Sequence, residues 1–259
     1  MKYYLVVDET SFYHPDFVCE FIIRSKDEIV GAAIIRKIPQ KSNLENYLLR
    51  HWYYLRLSEI IKLAFVKYYS TVCNIFVSNK SGKFYSVEGV LRYFSVDFLW
   101  VDLDINQTKY LSKISSKNPD VIISSCSLYF GKELLNIPKY CCINRHSSIL
   151  PSYKGLWPVF HSYKNGEFYT GASIHIMNSK IDNGLVLASK KVPIGNDDTL
   201  FTLYKLCFKV SVDVLLEAMQ KISCDDFSPV LISNVEESYF SFPTAIDWYN
   251  FRLRGGRFI

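Results

Sequence analysis

Residues 141–155 read CCINRHSSILPSYKG, and an apolar run over residues 121–124 precedes them. The apolar run predicts a buried strand, and a second strand is predicted over residues 140–143. Asn144 and His146 are expected just past this second strand. Their i, i+2 spacing turns both side chains to the same side if the chain stays extended. The stretch therefore predicts a polar site at the carboxyl end of a sheet strand.

A carboxylate completes this polar site. Asp182 opens the sequence Asp-Asn-Gly and lies 27 residues after Gly155. Acyl transfer to an amine requires an amide that donates a hydrogen bond, an imidazole that exchanges a proton and a carboxylate that orients the imidazole. Asn144, His146 and Asp182 supply these groups, so we expect a catalytic centre. The alternative is structural, because an isolated Asn-x-His often lies at a turn or strand end and Asp-Asn-Gly is itself a turn signal.

Further residues fall at fixed spacings around this centre: Asn144-x-His146-x-Ser148-x-Leu150-Pro151, Tyr153-x-Gly155, Thr170-Gly171 and Asp182-x-Gly184. This pattern resembles the hallmark of the folate-dependent formyltransferases, and the similarity runs over about residues 118–194. The resemblance implies that the Asn, the His and the Asp are the catalytic trio. Arg145 stands where relatives often carry a small or apolar residue, and Asn183 replaces a frequent Thr or Gly. Neither departure removes a functional group from the trio.

The resemblance also implies a co-substrate, N10-formyltetrahydrofolate, and no metal. Its pterin would slot between the loop after the predicted strand at residues 121–124 and the loop before Asp182. This implies six cofactor-binding residues: Leu128, Tyr129, Phe130, Met177, Asn178 and Lys180. Three residues just past the first motif are expected to contact the acceptor: Tyr153, Lys154 and Trp157. For the aromatic and aliphatic members of both sets, ordinary core packing is the alternative.

The start of the chain predicts a β-α-β unit, with strands over residues 3–8 and 28–36 and a helix over residues 14–24. Such alternation is typical of a mostly parallel sheet with right-handed crossovers and a ligand crevice at the carboxyl ends of its strands. The expected fold class is therefore α/β, with a Rossmann-like, mostly parallel sheet flanked by helices. Under the resemblance this is the formyltransferase fold.

Two segments are expected to extend that fold. Residues 44–76 predict a helical insert, interrupted near Leu57. A buried helix pair is the favoured reading of the insert, with a dimer surface and a membrane-surface helix as alternatives. The catalytic domain is then expected over residues 1–195. Residues 196–259 are expected to form a C-terminal helix, capped by Thr199, and a short tail extension.

The composition of the chain indicates which substrates and which cellular compartment suit the protein. The chain has 259 residues, of which 49% are hydrophobic, and a formal net charge of +5. Its basic residues are scattered, which suits an anionic substrate without demanding nucleic acid. Its seven cysteines form no Cys-x-x-Cys pair, which indicates a reducing cytoplasmic setting. No window is apolar for long enough to predict a transmembrane helix, and no signal peptide is predicted.

Three acceptor amines are considered for the predicted formyl transfer. A nucleotide-linked amino-deoxysugar, as used in bacterial surface polysaccharide or O-antigen, is the favoured one. Glycinamide ribonucleotide is disfavoured because no Gly-rich turn follows the first strand. Methionyl-tRNA is disfavoured because only 65 residues follow Ile194, fewer than a family-type RNA-binding domain needs, and no basic face is clustered.

Three questions stay open on the sequence alone. A lipid-linked amine remains an alternative acceptor, and a catalytically inactive regulatory relative remains the non-enzymatic alternative. The sequence does not decide which sugar, which nucleotide or which ring position carries the amine. A homodimer is left open as well.

Overall fold

The computed structural model describes residues 1–9, 12–37, 54–76, 83–230 and 235–259. Residues 44–53 of the predicted insert lie outside the described residues, so the helical hairpin stays a prediction. The rest of the insert is one continuous helix, Leu57–Phe76.

The strands among the described residues are β1 (Lys2–Asp8), β2 (Glu28–Lys37), β3 (Phe98–Asp102), β4 (Val121–Ser125), β5 (Cys141–His146), β6 (Lys154–Gly155), β7 (Tyr169–Ile176), β8 (Val186–Pro193) and β9 (Tyr239–Phe240). The helices are α1 (His14–Arg24), α2 (Leu57–Phe76), α3 (Val87–Tyr93), α4 (Thr108–Ser115), α5 (Lys132–Leu135), α6 (Pro158–Asn165), α7 (Leu200–Ser223) and α8 (Ala245–Leu253).

Seven strands form one sheet in the order β3-β2-β1-β4-β5-β7-β8. The pairs β3/β2, β2/β1, β1/β4 and β4/β5 are parallel, and β7/β8 is antiparallel. Every residue of β4 is buried. A strand covered on both faces is expected to be apolar along its length, which explains why this run shows no alternation in the sequence. The predicted α/β fold class with a mostly parallel sheet is therefore confirmed.

The described chain divides into two compact units. The first lies within Met1–Arg50 and Ala64–Asn144, and the second within His51–Leu63 and Arg145–Ile259. The second unit includes residues on both sides of the predicted domain boundary between residues 195 and 196. That boundary stays a prediction about domain organisation.

Helix α7 begins where the sequence predicts it. The Thr199 side chain accepts a hydrogen bond from the backbone N–H of Thr202, and the Thr202 hydroxyl accepts one from the backbone N–H of Thr199. This reciprocal cap satisfies two donors at the helix start. Leu200 and Leu203 then enter a core that also contains Phe160 and Trp248. The cap thereby fixes where the apolar face of α7 enters the core of the second unit.

The C-terminal tail is anchored through a buried ion pair within the second unit. Glu59, near the start of α2, is only 3% exposed. Its carboxylate accepts two hydrogen bonds from the Arg252 guanidinium, at 2.8 and 2.5 Å, and one from the Phe258 backbone N–H at 2.7 Å. Burial on its own would raise the pKa of Glu59, but these donors hold it below its usual range. The carboxylate therefore stays charged and holds the tail in place.

Candidate active site

Strand β5 carries the first two residues of the predicted trio. Both Asn144 and His146 lie inside the strand, and His146 is its last residue. The prediction that they lie just past the strand is therefore wrong by a few residues. The parallel pairing of β4 with β5 continues as far as Ser124 opposite Asn144, and this ladder keeps the polar residues extended. Their i, i+2 relation within one extended strand is confirmed.

The imidazole of His146 is buried and held through its Nε2 atom. Its Nε2 lies 2.8 Å from the backbone carbonyl oxygen of Tyr153. Because a carbonyl only accepts, Nε2 carries a proton and donates it. The other ring nitrogen, Nδ1, lies 3.5 Å from Oδ2 of Asp182. This separation exceeds a normal N–H···O hydrogen bond, so Nδ1 is the atom placed to exchange a proton with a reactant or a water.

The Asp182 carboxylate is held by the same motif that contains His146. Its Oδ2 accepts a hydrogen bond from the Gly155 backbone N–H at 2.8 Å. Asp182 has a left-handed backbone conformation, with φ of 47°. At Gly184, a Cβ atom would overlap the carbonyl oxygen of Ile176, so only glycine fits. The Asp-x-Gly spacing is therefore required by this tight turn, which aims the carboxylate at His146.

A second histidine, His175, faces the same carboxylate and was missed in the sequence. It lies near the end of β7 and is 2% exposed. Its Nε2 is 3.4 Å from Oδ1 of Asp182, and its Nδ1 is 3.0 Å from the carbonyl oxygen of Ile176. The signal available in the sequence was a polar residue inside an otherwise buried strand. Asp182 thus lies between two imidazoles.

The charges of this cluster are set by burial and by proximity. Burial lowers the pKa of His146, although the Asp182 carboxylate and the Tyr153 carbonyl oppose that shift. Burial on its own would raise the pKa of Asp182, but His146, His175 and the Gly155 N–H hold it well below its usual range. At neutral pH we therefore expect an ionised carboxylate beside a neutral imidazole. Any proton that His146 accepts is stabilised by Asp182.

The two-stranded sheet formed by β6 and β9 supports the cluster from the C-terminal tail. Lys154 in β6 is 6% exposed. Its Nζ contacts Oδ1 of Asn183 and lies 2.7 Å from Oε1 of Glu237. Asn183 directly follows Asp182. The buried Lys154 side chain therefore links the turn that contains Asp182 to the C-terminal tail. The side-chain contacts of Lys154 within the chain are with this turn and with the tail. Its predicted role in binding the acceptor stays a prediction.

The other two predicted acceptor residues differ in their surroundings. The Tyr153 ring stacks on Phe240, and its hydroxyl donates to Glu167 at 2.7 Å. Tyr153 also lines a cleft of about 440 Å³ together with hydroxyl, amide and carboxylate side chains: Ser152, Ser162, Asn165, Glu167, Thr170 and Glu237. Trp157 instead makes ring contacts with Phe160 and Trp248. Both predicted roles remain predictions.

The predicted folate loops lie in different units. In the first unit, Leu128 and Phe130 are buried and Tyr129 is exposed. Asn106, which was not singled out in the sequence, holds this loop by donating to the Tyr129 carbonyl and accepting from the Gly131 N–H.

In the second unit, Met177, Asn178 and Lys180 follow β7. Oδ1 of Asn178 accepts from the Lys180 N–H at 2.8 Å, and its amide donates to the Asn183 carbonyl at 3.2 Å. Each loop is therefore internally braced. The assignment of these six residues to folate stays a prediction.

The described residues contain no group of His, Cys, Asp or Glu side chains arranged to hold a metal ion. The described helices include none that is long and apolar enough to cross a bilayer. The seven cysteines are all unpaired thiols.

Residues 102–219 match the sequence profile of the formyl transferase family. Over 145 residues the chain is 33% identical to the methionyl-tRNA formyltransferase of Ehrlichia canis, which covers 53% of this chain and 47% of that protein. The chain therefore spans about half the length of the curated relatives that it matches.

Solved structures show the same fold. A sugar N-formyltransferase from Shewanella sp. superposes with a TM-score of 0.57 at 18% identity, covering 98% of this chain and 87% of that one. A phosphoribosylglycinamide formyltransferase from Anaplasma phagocytophilum gives a TM-score of 0.59 at 14% identity, covering 94% and 99%. At such low identities these structures establish the shared fold alone.

Proposed function

We propose that the protein transfers the formyl group of N10-formyltetrahydrofolate to the primary amine of a nucleotide-linked amino-deoxysugar, for bacterial surface polysaccharide. The observation that carries the transfer is the contact of His146 Nδ1 with the Asp182 carboxylate at 3.5 Å, inside the segment that matches the family. An ionised carboxylate beside an imidazole with one uncommitted nitrogen suits reversible proton uptake. Donor and acceptor are both substrates, and no metal is needed.

The chemistry assigns a separate role to each member of the trio. A new C–N bond forms between the acceptor amine and the formyl carbon, and the bond from that carbon to N10 of the folate breaks. Asn144 would donate its amide N–H to the oxygen that becomes negative in the tetrahedral intermediate. His146 would accept the amine proton at Nδ1 and return it to the departing folate nitrogen. Asp182 would stabilise the imidazolium between these two steps.

The folate assignment rests on the chemistry of two loops. In the loop at residues 128–130 the Tyr129 ring is exposed, and the loop at residues 177–183 is an irregular segment with backbone polar groups. Aromatic side chains and backbone polar groups are each suited to contact a flat heterocycle. Asn106 holds the first loop and Asn178 holds the second, so little ordering of either loop would be needed when the ligand binds.

The sugar acceptor has weaker support than the formyl transfer. The fold of the Shewanella sugar N-formyltransferase covers 98% of this chain. The described cleft beside Tyr153 is lined by hydroxyl, amide and carboxylate groups, which suit a polyhydroxylated ligand bearing an amine.

Methionyl-tRNA is the second candidate acceptor. The 33% identity with the Ehrlichia canis enzyme favours it. Because only about half of that relative is matched, the acceptor does not follow from that identity.

A panel of acceptors tests the proposal. The purified chain is incubated with 10-formyltetrahydrofolate and, in turn, with dTDP-, UDP- and GDP-linked amino sugars, glycinamide ribonucleotide, and methionyl-tRNA. Products are read by mass spectrometry. A gain of one formyl group on a nucleotide sugar is expected. Transfer only to tRNA or to the ribonucleotide would overturn the acceptor assignment and keep the transfer chemistry, whereas no transfer at all would count against both.

A further inference from the structure

Helix α2 presents a row of large apolar side chains, each more than half exposed. Leu57, Ile61, Phe65, Tyr68 and Tyr69 have exposed fractions of 72, 60, 67, 70 and 52%. Successive members of the row are one, three or four residues apart, so the five side chains form one stripe on the helix surface, called the α2 stripe below. A continuous apolar area on one side of a helix marks an interaction surface.

The opposite side of the helix is firmly packed. Glu59, Ser70 and Cys73 are buried, with exposed fractions of 3, 4 and 6%. Glu59 is also tied to Arg252 by the ion pair described above. Because these contacts fix the rotation of the helix, the α2 stripe cannot turn inward without breaking a buried salt bridge.

The charges on the outward side have one sign. Lys62 and Lys67 are exposed, and at about 100° per residue they lie on either side of the α2 stripe. The only acidic residue of the helix is Glu59, which points away from the stripe. The outward side therefore combines aliphatic and aromatic side chains with flanking cations and no acid.

We propose that the α2 stripe docks the protein in the plane of an anionic lipid surface. Helices that lie in a membrane interface carry an apolar face bordered by lysines, with aromatic rings at the headgroup level. The lysines would meet lipid phosphates while Leu57, Ile61 and Phe65 enter the acyl boundary. The lipid headgroup is identified by its negative charge alone. This inference does not depend on the proposed formyl transfer.

A second copy of the chain fits the stripe less well. In a two-fold dimer the same surface faces itself. The lysines of one helix would then face a partner helix that also offers lysines and no acid. Like charges set against each other at an interface are unfavourable. An anionic surface satisfies the same lysines directly.

The test measures partition of the full chain into vesicles by sedimentation. Vesicles of phosphatidylcholine with phosphatidylglycerol are compared with vesicles of phosphatidylcholine alone. The wild type is expected to bind the anionic vesicles and to be released by salt. The variant Lys62→Gln/Lys67→Gln is expected to weaken binding by about fivefold for each lysine removed. Phe65→Ser is expected to weaken it by about tenfold or more.

A matched control separates local docking from overall charge. Lys205→Gln/Lys209→Gln on α7 removes two exposed lysines and changes the net charge equally. It is expected to alter binding by less than about twofold, because those lysines are not part of the α2 stripe. An equal loss with the control pair would overturn the proposal, and so would equal binding to both vesicle types. The absence of vesicle binding, together with a wild-type dimer that Phe65→Ser makes monomeric, would assign the surface to self-association instead.

Discussion

Two of the buried carboxylates, Glu59 and Asp182, are held in contrasting ways. Glu59 receives 2.8 and 2.5 Å hydrogen bonds from a permanently charged guanidinium, that of Arg252. Asp182 faces two imidazoles, His146 and His175, at the longer distances of 3.5 and 3.4 Å. The Glu59 carboxylate is hydrogen-bonded to a guanidinium, whereas the Asp182 carboxylate is hydrogen-bonded to a backbone N–H and lies beside two imidazoles.

This contrast separates structural from chemical use of a buried charge. Arg252 keeps its proton at any working pH, so Glu59 is fixed and serves stability. Burial lowers the pKa of His146 and the Asp182 carboxylate opposes that shift, so the energy of this cluster changes when His146 takes up a proton. Removing a partner from the first pair should therefore affect folding, and neutralising the second carboxylate should affect turnover.

The largest expected effect follows from neutralising Asp182. Asp182→Asn keeps an oxygen to accept from the Gly155 N–H but removes the negative charge that stabilises a protonated His146. We expect kcat/KM for formyl transfer to fall by about a thousandfold, roughly 4 kcal/mol of barrier. The free energy of unfolding should change little. The measurements are steady-state kinetics and a thermal melt of the same preparation.

The matched control is Asp226→Asn, the same change at an exposed loop position. Its kcat/KM should stay within about twofold of the wild type, since surface charges far from the reaction contribute little. Unchanged turnover in Asp182→Asn would remove this carboxylate from the chemistry.

Breaking the Glu59–Arg252 ion pair should lower the free energy of unfolding and leave turnover unchanged. Arg252→Met leaves Glu59 buried without its cation, which commonly costs about 3 kcal/mol in the free energy of unfolding. Turnover per folded molecule should be preserved. Urea unfolding measures the loss, and Arg92→Met, in an exposed pair with Glu88, is the control at about 0.3 kcal/mol. Equal losses in the two variants would mean that burial does not distinguish these pairs.

His175 should tune the cluster without carrying the reaction. The proximity of His175 is one of the causes that lower the pKa of His146, so His175→Gln is expected to raise the pKa of His146. The acid limb of the kcat/KM profile should then move to higher pH, with a loss in rate of about tenfold at neutral pH. If His175 served only for packing, His175→Gln would lower the rate without moving the acid limb of the kcat/KM profile.

The smallest effect concerns the pH dependence of stability. Burial lowers the pKa of both His146 and His161 below the value of about 6.5 expected in the unfolded chain. The unfolded state therefore binds more protons, and the stability that these groups contribute is fully present above about pH 6.5 and is lost as the pH falls towards their folded pKa values. Melts from pH 8 to pH 5 should show a falling midpoint. His161→Gln should flatten that fall, and an unchanged slope would show that this imidazole already carries a proton in the folded state.

The sequence predicted the sheet and the extended Asn144-x-His146 spacing because both depend on local patterns. Buried parallel strands are apolar along their length, and β4 shows this directly. The Asp182-x-Gly184 spacing reflects a turn that only glycine permits, so it is visible in sequence.

Contacts between residues far apart in the sequence could not be predicted from local patterns. His175 meets Asp182 through the bend after β7, and the Lys154–Glu237 pair joins residues 83 positions apart. The buried Glu59–Arg252 pair spans 193 positions. No local periodicity records such partners, because each residue taken singly is a common surface type.

The most direct test of the central claim is formyl transfer from isotopically labelled 10-formyltetrahydrofolate by the wild type and by Asp182→Asn in parallel. Mass spectrometry follows the label on a nucleotide-linked amino sugar. The account predicts a labelled formamido product with the wild type and about a thousandfold less with the variant. Label on no acceptor, or equal rates for the two proteins, would contradict it.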